Sequence, residues 1–332
     1  MSGGPLFRAE PEDFRVDEVA LYPPSGSGGH TFVRIEKRLL TSDGVARQLA
    51  AIAGVPARDV GYAGRKDRVA LTTQWMSVPG LDPEKALGLK LEGVRILEAV
   101  AHPHKLRTGQ LRGNRFTIRV RSVDDAAEAE AREVLERAVA VGMANPFGAQ
   151  RFGHKGRNAD QGRQLLEGKR APRDRRKARF LLSALQSEVF NRVLSERPLP
   201  LEAVEAGDVA QVVESGGLFI VEDVEAEAER ARNFEISATG PIFGKKMVEP
   251  AGAVAIREAE VMTAMGIPSA QDLVPPRGIR LPGGRRPLRV RPQDPSMIRD
   301  DDGLLLEFGL PSGSYATVLL EQLFPGLHEG KG

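Results

Sequence analysis

Phe14–Ala20, FRVDEVA, alternates apolar and charged residues, as a strand with one buried face does. The alternation returns in TFVRIEKR (31–38), GVRILEAV (93–100) and RFTIRVRSV (115–123), and VALTTQWMSV (69–78) is Thr-rich and β-prone. PPSGSGG (23–29), between the first two runs, reads as a hairpin loop. Segments of helical spacing lie between the strands. TSDGVARQLAAIAG opens on Thr/Ser/Asp capping candidates, sets Val45, Leu49 and Ile52 on one face and closes on Gly54. Residues 124–141 predict an amphipathic helix capped by Asp124, with Val134, Leu135, Ala138 and Val141 inward. A second helix is expected over 180–195, burying Leu182, Leu185, Val189 and Val193. LLLEFGL (304–310) predicts a last strand stopped by Pro311, and Ser312 or Ser314 can cap the helix YATVLLEQLF after it. Antiparallel-looking strands with interspersed helices, without a regular βαβ rhythm, argue for an α+β fold.

A chain of 332 residues is long enough for two domains. From about 200 to 290 the texture changes to short runs punctuated by Gly and Pro plus an acidic helix, which suggests a separate module. No apolar run approaches the ~20 residues needed to span a bilayer. MSGGPLFRAEPEDF lacks the apolar core and cleavage site of a signal peptide, so the expected location is cytoplasmic. With no cysteine, disulfides and thiolate chemistry are excluded. The chain has five histidines, and His102-Pro-His104 is the one pair that could serve a metal; it reads as incidental, so no metal is expected.

The net charge of +2 hides segregation. Residues 101–121 carry six basic residues and no acid, 169–179 carry seven against Asp174, and 273–291 carry six and no acid. Acid gathers at 124–136 and 222–235. Such separation suits a face that tracks phosphates, opposite a solvated one. GPIFGKKM (240–247) falls short of a nucleotide-binding loop: three residues separate its glycines, and Lys246 stands where Ser or Thr should hold magnesium.

Two motifs carry chemistry. GYAGRKDRVALTTQW (61–75) sets Asp67 directly after Arg65 and Lys66 in a tight glycine-bearing turn between strands. A loop carboxylate kept ionised by neighbouring cations could act as a nucleophile, and the same cations would attract RNA. A charged hairpin tip is usually just a solvated turn. NPFGAQRFG (145–153) clusters Asn145, Gln150 and Arg151 with Phe147 and Phe152. That mixture suits a pocket that stacks a base and reads its edge, or two phenylalanines anchoring a glycine turn.

PEDFRVDE (11–18), GRKDRVALTTQW (64–75), RGNRFTIRV (112–120), NPFGAQRFG (145–153), LLSALQSEVFNRV (181–193) and LPSGSYAT (310–317) occur in an order that resembles the TruD family of tRNA pseudouridine synthases. The resemblance spans nearly the whole chain. It implies a pseudouridine-synthase catalytic domain, with a mixed, largely antiparallel sheet flanked by helices, over 1–170 and again over 290–332. An inserted α/β TRUD domain would occupy 171–289. The implied activity is isomerisation of uridine to pseudouridine in tRNA, at position 13 of the D-arm, by a monomer using no cofactor, metal or membrane. An RNA-binding or RNA-chaperone protein keeping the fold without catalysis is the alternative.

By motif, Asp67 takes the place of the catalytic aspartate, and Phe14, Asn145 and Tyr315 match substrate-pocket positions, with Phe147 beside them. Tyr315 departs from the Phe common in relatives, and Pro146 from a common Tyr. The basic partner of the aspartate is expected to be Arg8, with Lys66 as rival.

Overall fold

The computed structural model describes residues 4–169, 174–269 and 272–330. The expected domain boundary at 170/171 and part of the basic run 169–179 lie outside the described residues. Backbone contacts divide the chain into two compact units, Met1–Leu135 with Pro292–Ala316 and Leu320–Gly332, and Glu136–Arg291 with Thr317–Leu319. Residues 136–169, counted above with the catalytic domain, cluster with the second unit, where helix packing holds them.

The chain begins with β1 (Leu6–Phe7), β2 (Phe14–Ala20), β3 (His30–Arg38), α1 (Ser42–Ala53), β4 (Gly61–Tyr62) and β5 (Leu71–Pro79). Then come α2 (Pro83–Leu87), β6 (Val94–His102), β7 (Leu111–Arg121) and α3 (Asp125–Val141). The middle holds β8 (Met143–Ala144), α4 (Arg157–Leu166), α5 (Arg175–Ser195), β9 (Val209–Val212), β10 (Leu218–Ile220) and α6 (Val224–Arg232). It continues through β11 (Ile236–Ile242), α7 (Gly252–Ala264), β12 (Gly284–Pro287) and β13 (Arg289–Val290). β14 (Gln293–Asp300), β15 (Gly303–Pro311), α8 (Ala316–Leu323) and β16 (His328–Glu329) close the chain.

The first unit is built on one mixed sheet, in the order β14-β15-β7-β2-β5-β3-β6, with β1, β4 and β16 attached at its margins. Its pairings are antiparallel except β2 with β5 and β1 with β16. The expected hairpin at PPSGSGG is therefore corrected: β2 and β3 do not pair, because β5 lies between them. The reason is burial. β5 is buried from Thr72 to Val78, and an unbroken buried run belongs at the middle of a sheet.

One face of that middle packs Val33, Ile35, Met76 and Val78 against Val45, Ala46, Leu49 and Ala50 of α1. On the other face, Phe32 and Trp75 meet Leu106 and Leu111. Thr41 caps α1 by accepting from the Gly44 N–H at 3.1 Å, and Gly54 ends it in the left-handed region at φ 66°. Ile52, expected inward, is 46% exposed. The helix turns Ala46 and Ala50 to the sheet beside Val45 and Leu49, and Ile52 in its last turn overshoots the contact.

In the second unit β10-β9-β11-β12 form an antiparallel sheet, and β8 pairs with β13. α5 starts earlier than its apolar pattern announces, at Arg175, because Asp174 caps it. Leu182, Leu185, Val189 and Phe190 of α5 are buried completely. Gly162 of α4 faces the Leu181 carbonyl so closely that a methyl group would not fit, which fixes 157–166 to this unit. For α8 the expected serine cap is corrected: Tyr315 is the N-cap, and its side chain makes no capping bond.

A side chain at Gly61 would run into the Leu106 carbonyl and Ser77 Oγ. Gly61→Ala should therefore cost about 1–3 kcal/mol in a denaturant titration, and the connection that follows β4 should loosen with it.

Candidate active site

Asp67 lies in the connection 63–70 between β4 and β5. This corrects the tight turn expected from the sequence: β4 pairs far along β5, Gly61 with Ser77 and Tyr62 with Met76, so the chain must travel back to Leu71 in an open excursion. That excursion ends where β5 begins beside Arg15 of β2 and Arg38 of β3. Asp67 thus stands at one end of the sheet's central strands. Its side chain is 39% exposed.

Each nearby cation has a different task. Arg8 donates from Nη2 to Asp67 Oδ2 at 2.9 Å and from Nη1 to Glu329 Oε1 at 2.5 Å. Its guanidinium lies over the Phe14 ring, 3.9 Å from the centroid, in cation–π contact. Arg8 is buried, and its backbone has a φ of 56°. A left-handed conformation costs a non-glycine residue about 1–3 kcal/mol and persists only when its surroundings impose it. Here β1, held between β7 and β16, imposes it.

Lys66 points elsewhere. Its Nζ lies 2.9 Å from Glu18 Oε2 and donates to Asn114 Oδ1 at 2.6 Å, with the Lys66 and Glu18 side chains nearly fully buried. Glu18 and Asn114 are register partners across β2 and β7, and Glu18 Oε1 also accepts from the Trp75 N–H. Arg65 pairs with Asp43 at 3.0 Å. Of the basic residues named from the sequence, Arg8 is therefore the one whose guanidinium reaches the Asp67 carboxylate, and Lys66 anchors the loop.

A further cation was not singled out by the sequence. Lys37 of β3 is wholly buried and donates from Nζ to the Asp67 carbonyl oxygen at 2.7 Å. Burial pushes its pKa down from 10.5 to about 8; the Asp67 carboxylate draws it up and Lys66 pushes it further down. Its place in TFVRIEKR reads as one more polar position of an alternating strand, so no local signal marks it.

Phe14 is 1% exposed and packs edge-on against Phe116. It is the floor on which Arg8 rests, and no part of its ring forms an open wall. Tyr315 is half-buried at the start of α8. It follows β15, whose end pairs with the start of β7, Pro311 opposite Gly113 and Leu310 opposite Asn114.

Asn145 and Phe147 belong to the second unit and meet each other there through Arg286. Asn145 is buried; its Nδ2 donates to the Pro287 carbonyl at 3.0 Å, and its Oδ1 accepts from Arg286 Nη2 at 2.6 Å. Arg286 Nε donates to the Asn145 carbonyl at 3.1 Å, and the guanidinium lies 4.1 Å from the Phe147 ring centroid. The amide thus fixes its own loop and an arginine. His102 sits in an aromatic cluster, 4.2 Å from Phe32 and 5.5 Å from Tyr22 between ring centroids. Among the described residues no group of three His, Asp or Glu side chains is disposed to hold a metal ion, and no helix is long and apolar enough to cross a membrane.

Two outcomes follow. Glu18→Gln leaves a buried ammonium without its counter-charge and should cost about 3–5 kcal/mol, read from the denaturant midpoint. Between about pH 8 and 10.5 the unfolded chain keeps the Lys37 proton that the folded chain has shed, so this group makes stability rise with pH across that window. Lys37→Met should flatten that rise.

The model of the family described as tRNA pseudouridine synthase D (TruD) matches residues 2–171 and 174–323. Proteins named tRNA pseudouridine synthase D are similar along nearly the whole chain. That of Anaeromyxobacter dehalogenans is 46% identical over 334 residues, covering 98% of this chain and 94% of the relative. That of Thermus thermophilus is 43% identical over 325 residues, covering 97% and 88%. A solved structure, the putative tRNA pseudouridine synthase D of Methanosarcina mazei, matches the fold with a TM-score of 0.73 at 23% identity, covering 97% of this chain and 94% of that one. The family model over nearly the whole chain, together with relatives up to 46% identical from end to end, places the chain in the TruD family of tRNA pseudouridine synthases.

Proposed function

We propose that this protein is a tRNA pseudouridine synthase that converts uridine to pseudouridine at position 13 of the D-arm, with Asp67 as the acting carboxylate. The observation that carries the reading is the Asp67 side chain: one oxygen takes the Arg8 guanidinium, the backbone carbonyl is tied to Lys37, and the group keeps an exposed face. Isomerisation breaks the N1–C1′ bond, turns the uracil and joins its C5 to C1′; N1 gains a proton and C5 loses one. Attack at C1′ and removal of the C2′ proton both need an ionised, accessible carboxylate. Arg8 would aim the carboxylate through its hydrogen bond to Oδ2. The reaction rearranges one nucleoside and consumes no cofactor or metal.

The target base must leave its stack, at a cost of a few kcal/mol. Tyr315 is the aromatic proposed to retain the loosened uracil, because a flat ring restrains a base without locking its rotation. Phe14 would act through Arg8, Lys66 by fixing the loop, and Asn145 and Phe147 through the loop they order. Basic residues within 101–121, 169–179 and 273–291 would hold the tRNA backbone. The family-specific insertion is proposed to span about 171–289 of a cytoplasmic monomer.

Asp67→Asn should abolish pseudouridine in a purified tRNA substrate, by roughly a thousandfold or more in rate, with tRNA affinity largely kept. Wild-type protein that binds tRNA and forms no pseudouridine would identify a non-catalytic RNA-binding protein instead.

A further inference from the structure

Arg8 is held asymmetrically. An arginine and a carboxylate frequently meet as a two-pronged fork, with parallel bonds from the guanidinium to both oxygens. Here Arg8 gives Asp67 one bond, from Nη2 to Oδ2 at 2.9 Å, while Nη1 is committed to Glu329 Oε1 at 2.5 Å. Arg8 Nε is buried and has no hydrogen-bond partner among the described residues. The guanidinium rests on Phe14, 3.9 Å from the ring centroid. An aromatic face attracts a cation without fixing how it is turned about the ring normal, so the two carboxylates set the directions in which the nitrogens point. Of the Asp67 carboxylate oxygens, Oδ2 alone accepts a hydrogen bond among the described residues.

Backbone pairing brings Glu329 to this place. β16 runs parallel to β1, with Phe7 opposite Glu329. The His328 N–H donates to the Pro5 carbonyl and the Gly330 N–H to the Phe7 carbonyl, both at 2.8 Å. A side chain at Gly330 would run into the Arg8 carbonyl and the Ala9 Cα, so the strand lies directly against the residue it serves. The Glu329 side chain is 56% exposed, and an ion pair so open to water adds little stability. Glu329 also lies beyond residue 323, where the match to the family model ends, so nothing in that pattern assigns it a role.

We propose that Glu329 is a positioning residue of the active site: by occupying Arg8 Nη1 it keeps the arginine from closing on both oxygens of Asp67 and leaves Oδ1 open to the nucleoside. The inference rests on the catalytic role proposed above for Asp67 and deepens it. A carboxylate clasped at both oxygens would have to break a charge-assisted hydrogen bond before attacking C1′ or taking the C2′ proton. Held at Oδ2 alone, it is oriented and still has an oxygen to use.

Glu329→Ala in the full-length protein should lower kcat for pseudouridine formation in a purified tRNA substrate by about ten- to a hundredfold, the order lost when a reacting group is misplaced. KM, tRNA affinity and Tm should hardly move. Glu329→Gln, whose amide oxygen can still accept from Arg8 Nη1, should retain most of the activity. Gly330→Val, which pushes β16 away with Glu329 intact, should reproduce the loss. Because Glu329 acts through Arg8, adding Glu329→Ala to Arg8→Met should cost nothing further. Losses that multiply overturn the proposal, as does an unchanged kcat in Glu329→Ala. A crystal structure of Glu329→Ala gives a reading independent of activity: Arg8 bonded to both Asp67 oxygens supports the inference, and Arg8 still on Oδ2 alone overturns it. If the wild type forms no pseudouridine while the arginine of the variant closes on both oxygens, the positioning by Glu329 stands and the catalytic reading alone falls.

Discussion

The Lys66–Glu18–Asn114 knot governs the candidate site. A buried ammonium is expensive unless a carboxylate and further hydrogen bonds surround it, and the sheet supplies both. Glu18 and Asn114 face each other across β2 and β7, Leu310 of β15 lies opposite Asn114 on the other side, and the Lys66 N–H reaches Ser42 Oγ at 3.0 Å. Four motifs distant in sequence are therefore drawn to one end of one sheet. Asp67 is placed because the residue before it cannot leave.

Electrostatics then separates groups that composition merges. Arg65, Lys66, Lys37 and Arg8 are all cations near one carboxylate, yet each has its own partner. Arg65 serves Asp43, Lys66 serves Glu18, Lys37 holds a carbonyl and Arg8 holds the Asp67 side chain. Arg65 and Lys66, the two cations directly before Asp67, are engaged with other acids, and it is Arg8, itself shared with Glu329, that pairs with the Asp67 carboxylate. A looser cluster would share its charge among several geometries, whereas here a single guanidinium on a phenyl floor defines the direction.

Alternation made the strands of the first unit readable, and capping residues did the same for α1 and α3. Register was not readable. FRVDEVA and TFVRIEKR look like consecutive arms of a hairpin, and the demand of β5 for cover on both faces overrides that local impression. Lys37 and Glu18 were hidden for the same reason: a polar residue in an alternating strand looks solvent-facing until the far side of the sheet is known. Asn145 left two roles open in the sequence, and its surroundings engage both ends of the amide within the protein. Arg8 could be named from a resemblance, but its geometry depends on a left-handed residue and on partners 59 and 321 positions away.

That last separation bears on how the protein is made. Arg8 leaves the ribosome 321 residues ahead of Glu329, which completes the grip on it. Loop-closure entropy across such a span grows only slowly with length, so the equilibrium cost is modest, but the order of events is not negotiable. A nascent chain carries its aspartate with the guanidinium unsecured until β16 has been synthesised, so maturation of the site waits on a segment far downstream of the residue it secures.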